Sequence, residues 1–238
     1  MTLLTEVSLE QRLVQLRGYT EGLEGEALLR KIMTHALTGR LAAVSSFGAE
    51  SAVLLDILAQ VDRAAPVIFL DTGKLFAETL AYRDALIARL GLSNVCTVQP
   101  CGEDLQRSDP NGDLWRSDPD SCCFLRKSEP LDAALAPFDA WITGRKRFQA
   151  KSRAALSTIE GDPVTGKIKI NPLATWGAED IERYLTERDL PRHPLVAAHY
   201  LSIGCRPCTR PVGPGEDQRA GRWSWLEKKE CGIHRSGL

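Results

Sequence analysis

The stretch Leu41-Ala42-Ala43-Val44-Ser45-Ser46-Phe47-Gly48-Ala49-Glu50-Ser51 passes from a short apolar run into small and polar residues, and Val53, Leu54, Ile57 and Leu58 follow at helical spacing. It reads as a strand over 41–44, a loop over 45–50 and a helix. A second unit repeats the order: a continuous apolar strand at 66–70, a turn at Asp71-Thr72-Gly73, and a helix over about 75–90. Residues 95–98 read as a third strand. Uninterrupted apolar strands alternating with amphipathic helices predict an α/β protein, Rossmann-like, whose mostly parallel sheet is covered by helices on both faces. In such a sheet, ligands sit where strands end and helices begin, which puts 45–51 and 71–73 at the site.

Working outward, Ser8 and Gln11 form a capping-box pattern ahead of Leu9, Leu13 and Leu16. A second apolar stripe runs through Leu28, Leu29, Ile32 and Leu37 to a closing Gly39, with His35 as a packing residue. After an Asp-, Gly- and Pro-rich loop at 108–119, a helix is expected over 122–135, a strand at 140–143, and a hairpin over 157–170 turning at Gly161-Asp162-Pro163. Beyond Pro191 the chain is rich in Gly and Pro. The expected organisation is one nucleotide-binding catalytic domain, 1–212, and a mobile C-terminal tail, 213–238.

At 238 residues the chain can build a core without staples, and 43% hydrophobic with 26% charged residues sets aside disordered, collagenous and coiled-coil classes. A net charge of -1 argues against chain-wide polyanion binding, so any anion site is local. No apolar run reaches bilayer length, and MTLLTEVSLEQRLVQ carries no basic stretch followed by an apolar one. The expectation is a cytoplasmic protein.

The small-residue loop Ser45, Ser46, Phe47, Gly48, Ala49, Glu50 and Ser51 lets backbone N–H groups and a helix dipole face a phosphate or sulfate; alternatively it is a plain tight connection. No Gly-Lys-Ser/Thr follows, so it is not a Walker A loop. The run 144–153, with Gly144, Arg145 and Arg147, concentrates cations without an acidic neighbour in sequence, and Arg219 and Arg222 make a second patch beside Trp223. Arg forks suit bidentate phosphate or sulfate binding, while a solvated face or an RNA patch is the plainer reading.

Seven cysteines, an odd number, make a poor disulfide set. Cys122-Cys123 and Cys205-x-x-Cys208 supply four thiolates, enough for tetrahedral zinc or a 4Fe-4S cluster. Adjacent cysteines crowd one ion but can each take a separate iron, which favours the cluster over zinc and over four unligated thiols. Cys231, between Lys228-Lys229-Glu230 and Gly232-Ile233-His234, has the basic neighbours that favour a thiolate; it reads as a delivered nucleophile or an incidental surface thiol. Cys96 and Cys101 read as structural.

Together, residues 46–51, Leu-Asp-Thr-Gly (70–73), Cys-Cys-Phe-Leu-Arg-Lys (122–127), the 144–153 loop, Ile-Gly-Cys-Arg-Pro-Cys-Thr (203–209) and Glu-Cys-Gly-Ile-His (230–234) resemble the assimilatory sulfonucleotide reductases, in particular the iron-sulfur adenylyl-sulfate (APS) reductases. The resemblance implies an adenine-nucleotide alpha-hydrolase fold, with the first loop on the nucleotide's anionic part and Leu70, Asp71, Thr72 and Gly73 bordering the adenosine. It implies that Cys231 attacks the sulfur of APS, expelling AMP and forming S-sulfocysteine, which thioredoxin or a glutaredoxin-like reductant reduces to release sulfite. Lys127, Arg219, Arg222 and His234 would surround the phosphosulfate, and Cys122, Cys123, Cys205 and Cys208 would hold a 4Fe-4S cluster that is structural and electrostatic. The family further implies a homodimer or homotetramer, with neither membrane nor nucleic acid as partner. Phe148, Ala150 and Lys151 depart from the family's polar run, and the first loop lacks the Ser-Gly-Gly-x-Asp-Ser of ATP pyrophosphatases. Two alternatives stand: a reductase of 3'-phosphoadenylyl sulfate (PAPS), whose usual members lack the four cysteines, and a metal-dependent RNA-binding or RNA-thiolating module.

Overall fold

The computed structural model describes residues 7–162, 164–228, 230, 232 and 233. Cys231 and His234 lie outside the described residues. Six strands form one sheet in the order β3-β2-β1-β4-β6-β5: β1 (Leu41–Ser45), β2 (Val67–Leu70), β3 (Val95–Val98), β4 (Ala140–Ile142), β5 (Ile159–Asp162) and β6 (Lys167–Ile170). All neighbours are parallel except β5, which returns antiparallel to β6.

Side chains alternate across the strands, so each strand feeds two cores. Ala43, Val67, Phe69, Ile142, Ile168 and Ile170 face the larger core, built with α1 (Leu9–Tyr19), α2 (Gly25–Ile32), α3 (Ser51–Val61) and α4 (Ala77–Leu90). Ala42, Ile68, Leu70 and Trp141 face the other side and pack on Leu131 and Leu135. From β1 the chain winds outward through β2 and β3, then crosses back to β4 on β1's other flank. The order therefore reverses between β1 and β4, and the crevice at their carboxyl ends is where such sheets bind ligands.

The capping box at Ser8 forms as expected, with Gln11 N–H donating to Ser8 Oγ at 3.2 Å. Helix α2 stops at Ile32, because the His35 imidazole accepts the Leu37 N–H and starts a separate 3-10 turn, Ala36–Thr38; Gly39 at φ 70° closes that turn instead. His35 packs on Tyr19, ring centroids 4.5 Å apart. Residues 102–119 hold two short helices, α5 (Gly102–Ser108) and α6 (Leu114–Ser117), where an open loop was expected from 108. The helix expected over 122–135 is broken: α7 (Pro119–Cys123) runs into a π turn at Phe124–Ser128 and then α8 (Glu129–Leu135). Pro130 brings no N–H to the ladder at that junction, and the Glu129 N–H reaches back to Phe124 O. In the hairpin, Gly161 and Asp162 belong to β5 and the turn falls later, because Asp162 Oδ1 accepts the Val164 N–H at 3.0 Å. Like α5 and α6, helix α9 (Ala178–Glu187) was not expected; it buries Ile181 and Leu185 against the larger core. No described helix is long and apolar enough to cross a membrane.

Candidate active site

Three loops and the C-terminal segment meet at the crevice between β1 and β4. The β1–α3 loop is shaped by Phe47, which adopts φ 47° and sends its ring into the core, edge-on to Phe69 at 5.3 Å. Ser45 Oγ accepts the Phe47 N–H, and Ser45, Ser46, Gly48, Ala49, Glu50 and Ser51 line the cavity around that anchor. Phe47 thus supports the loop from behind while its neighbours face the cavity. No side chain caps the N-terminus of α3; Glu50 at the cap position turns its carboxylate to Lys146. A helix N-terminus and its unspent dipole therefore border the cavity.

From the end of β4 come Thr143, Gly144, Arg145, Lys146, Gln149 and Arg153. Lys146 is 2% exposed, with its ammonium 2.8 Å from Glu50 Oε2. Burial pushes the Lys146 pKa down, and Glu50 opposes that. Burial equally works against the Glu50 carboxylate, but Lys146, Gln218 and Gln149 outweigh it and keep the pKa below the usual carboxylate range. Arg145 pairs with Glu160, and Arg153 pairs with Glu230. The basic run therefore does have acidic neighbours, supplied by other parts of the fold. Its third cation, Arg147, is exposed and outside the cavity; its Nε donates to Leu156 O at 2.8 Å.

Leu70 and Thr72 reach the cavity from β2. Asp71 does not: its carboxylate accepts from the Gly73 N–H and Gln99 Nε2, and Gly73 lies on the surface beyond. From the C-terminal segment come Ile203, Gly204, Gln218, Arg219, Arg222, Glu230 and Ile233. Arg222 stacks its guanidinium on Trp223, 4.3 Å from the ring centroid. Gly204 makes room for it, since a Cβ there would sit 2.3 Å from Arg222 Nη2. Among the described residues, Arg222 Nε and Trp223 Nε1 are the buried side-chain nitrogens without a hydrogen-bond partner. Six cations and two carboxylates among the described residues line the cavity, which gives it a net positive field.

Beside the cavity the four cysteines close around a shared buried space. Cys122 and Cys123 end α7, while Cys205 and Cys208 bracket a 3-10 turn, Arg206–Cys208. All four are buried; Trp223, 1% exposed, and Trp115 pack on them. Burial, and then the neighbouring sulfur, push the Cys122 and Cys208 thiols up to about 11. Burial also opposes the Cys205 thiolate, but Lys127, the Thr72 hydroxyl at 3.2 Å and Arg222 overcome it and lower the pKa. Lys127 borders both chambers, so the cation expected at the phosphosulfate also touches the cysteine set. Among the described residues, no three His, Cys, Asp or Glu side chains converge as a single ion requires. Cys122, Cys123, Cys205 and Cys208 line one buried space with Trp115, Lys127 and Trp223, and are the thiols there that could hold a metal or a cluster. Arg126 braces this wall through a buried pair with Asp109 at 2.5 Å and a hydrogen bond to Thr72 O. Cys96 and Cys101 are exposed, Cys96 on edge strand β3.

The structure thus gathers Ser45, Ser46, Gly48, Ala49, Glu50, Ser51, Leu70, Thr72, Lys127, Gly144, Arg145, Arg219 and Arg222 around one cavity, and leaves the Phe47 ring, Asp71, Gly73 and Arg147 off it. Lys146, Gln149 and Arg153 stood inside the 144–153 run, and Glu230 inside the 230–234 motif, without being named individually as site residues; Gln218 stood in no motif. Glu230 had a signal, standing next to Cys231; Gln218 had none.

Known proteins share this architecture. A family model described as phosphoadenosine phosphosulfate reductase domain matches residues 40–211. The chain is 58% identical over 198 residues to a protein of Mesorhizobium japonicum named adenosine 5'-phosphosulfate reductase, covering 83% of this chain and 77% of that one. It is 42% identical over 217 residues to a protein of Gloeobacter violaceus named phosphoadenosine 5'-phosphosulfate reductase, covering 90% of each. Among solved structures, a phosphoadenylyl-sulfate reductase from Candida auris in its phosphate complex superposes with TM-score 0.72 at 28% identity, over 87% of this chain and 98% of that one. An FMN adenylyltransferase from Candida glabrata, at 16% identity and TM-score 0.57 over 86% of this chain and 67% of that one, shares the fold alone.

Proposed function

The chain belongs to the phosphoadenosine phosphosulfate reductase domain family, and from that premise we propose that it reduces adenylyl sulfate to sulfite and AMP, with Cys231 as nucleophile and thioredoxin as reductant. The observation that carries the reading is that Glu230 and Ile233, on either side of Cys231 in sequence, both line the cationic cavity at the switch point of the sheet. The relatives at 58% and 56% identity are named adenosine 5'-phosphosulfate reductase, while a relative named phosphoadenosine 5'-phosphosulfate reductase stands at 42%.

In this reading the Cys231 thiolate attacks the sulfur of adenylyl sulfate. The S–O bond to phosphate breaks, its electron pair leaves with AMP, and Cys231 carries an S-sulfonate. A thioredoxin thiolate then attacks the Cys231 sulfur and expels sulfite; its second thiol resolves the mixed disulfide, so the two electrons come from the dithiol. Arg222, with a buried Nε awaiting an acceptor, and Arg219 and Lys127 neutralise the charge that grows on the departing phosphate. The N-terminus of α3 and the Gly48 loop take the nucleotide's anionic part, and Leu70 and Thr72 border the nucleoside. His234 would join the phosphosulfate contacts. A 4Fe-4S cluster on Cys122, Cys123, Cys205 and Cys208 would tie α7 to the 205–208 turn and place charge beside Lys127 without donating electrons. The segment from 213 onward serves to present Cys231.

The RNA-module reading fits less well. Lys146 and Arg153 turn inward to carboxylates at 2% and 9% exposure, where an RNA surface needs outward cations. Sulfite and AMP measured on cluster-loaded protein with thioredoxin, supplied with APS or PAPS, test the proposal. APS should be consumed with one sulfite per AMP. Faster turnover of PAPS would reassign the substrate, and no sulfite from either would overturn the reading.

A further inference from the structure

Glu230 stands one residue before the cysteine read as nucleophile, and its carboxylate is one of only two among the described residues in a cavity otherwise charged by cations. Two parallel hydrogen bonds hold it: Arg153 Nε to Oε1 at 2.8 Å and Arg153 Nη2 to Oε2 at 2.9 Å. Arg219 Nη2 adds a third to Oε2 at 3.2 Å. A forked Arg–carboxylate pair fixes orientation as well as distance.

The grip is anchored at its far end. Arg153 Nη1 donates to Gln149 Oε1 at 2.6 Å, Gln149 Nε2 donates to Glu50 Oε2 at 2.8 Å, and Glu50 holds the buried Lys146. A polar chain therefore runs from the start of α3 to the residue before Cys231. On the other side of residue 231, Gly232 turns at φ +80° and Ile233 packs against the smaller core. The backbone is pinned on both flanks, by charge at 230 and by apolar contact at 233.

We propose that Glu230 is a positioning residue, whose clamp by Arg153 and Arg219 seats the neighbouring thiol for attack on the anion in the cavity. The proposal rests on the reading of Cys231 as nucleophile. Its physical content is preorganisation: a nucleophile held near its target has already lost the freedom that a loose segment would lose at the barrier. Glu230→Gln keeps size and an acceptor but removes the charge that makes the fork strong. Glu230→Asp keeps the charge on a shorter stem.

The test uses full-length, cluster-loaded protein without thioredoxin. Three quantities are read: the single-turnover rate of sulfonate gain on Cys231 at saturating APS, the affinity for AMP, and hydrogen exchange across 224–233. Glu230→Gln should slow sulfonation by roughly 10- to 100-fold, speed exchange, and leave AMP affinity within about twofold, with Glu230→Asp recovering part of the rate. An unmoved rate or unmoved exchange overturns the proposal, as does an equal loss of AMP affinity, which would make Glu230 part of the nucleotide site. Those outcomes leave the nucleophile reading standing. Wild-type protein that gains no sulfonate overturns that reading first and the proposal with it.

Discussion

Residues 41–170 and residues 199–233 lie against one another but are held together by different forces. In the first, strands pair backbone to backbone and Phe69, Ile142, Ile168 and Ile170 disappear into a continuous apolar core. In the second, the described residues form no strand beyond the single bridge between Thr209 and Arg222. Trp223 anchors this second region together with Ile203, Cys205, Cys208 and Val212, and ion pairs add to that small core: Arg210 to Glu216, Arg219 and Arg153 to Glu230, Lys228 to Asp120. Apolar burial fixes a scaffold without regard to salt, whereas ion pairs can be made and broken at modest cost. The scaffold supplies a prebuilt anion crevice, and the C-terminal segment supplies cations to it and, in the proposed function, the nucleophile.

The comparison breaks most sharply at the cysteines, which join the two regions. Cys205→Ser should lose nearly all bound iron and nearly all turnover, as read by iron content and sulfite production; full activity without iron would contradict the assigned ligand set. Ile168→Ala strikes the scaffold alone, away from the cavity. It should cost about 2–5 kcal/mol in urea unfolding, while the folded fraction still binds AMP. Arg222→Ala strikes the segment: it should weaken AMP binding by about 10- to 100-fold, the range of a lost charge-assisted hydrogen bond, and, through the lost stacking on Trp223, cost less stability than the core variant. Equal stability losses in these last two variants would erase the distinction.

The smallest effect is a pH dependence where His193, between the two regions in the chain, packs against the scaffold at Thr79. His193 is buried, its Nδ1 accepting the Leu195 N–H, so the neutral ring carries its proton on Nε2, toward Thr79 Oγ1 at 3.0 Å. Burial lowers its pKa from 6.5 to about 4. Unfolded chains bind this proton first as pH falls, so the histidine's contribution is complete above about 6.5 and is lost progressively toward 4. His193→Asn keeps an acceptor for Leu195 and does not titrate. It should be less stable near neutrality yet lose less stability between pH 7 and 5; parallel curves would remove His193 from the account.

The same contrast explains what was legible in the sequence. β1 and β2 were readable because a strand covered on both faces is a nearly continuous apolar run, β3, exposed at the sheet edge, because Val95, Thr97 and Val98 are β-branched, and the first loop because small residues stand between such a run and a helix. The four cysteines were readable from their residue type and spacing. The charge pairs were not: Glu50 with Lys146 and Glu230 with Arg153 are far apart in the chain, and sequence shows charges without showing which will meet. Phe47 and Arg147 stood in the right loops, but side-chain direction is set by neighbours those loops do not contain, the Phe69 ring and the Leu156 carbonyl. The π turn after Cys123 was hidden because a helix carrying one extra residue keeps nearly the same apolar pattern as a regular one.

The proposed function depends above all on one step, the attack of Cys231 on the sulfur of a sulfonucleotide held in the cavity between β1 and β4. Its most direct test is intact and peptide mass spectrometry on cluster-loaded protein mixed with APS or PAPS in the absence of thioredoxin, with Cys231→Ser alongside. The account expects the mass of one sulfonate on the Cys231 peptide with APS, and none on the serine variant. No gain with either nucleotide, or a gain on another cysteine, would contradict it.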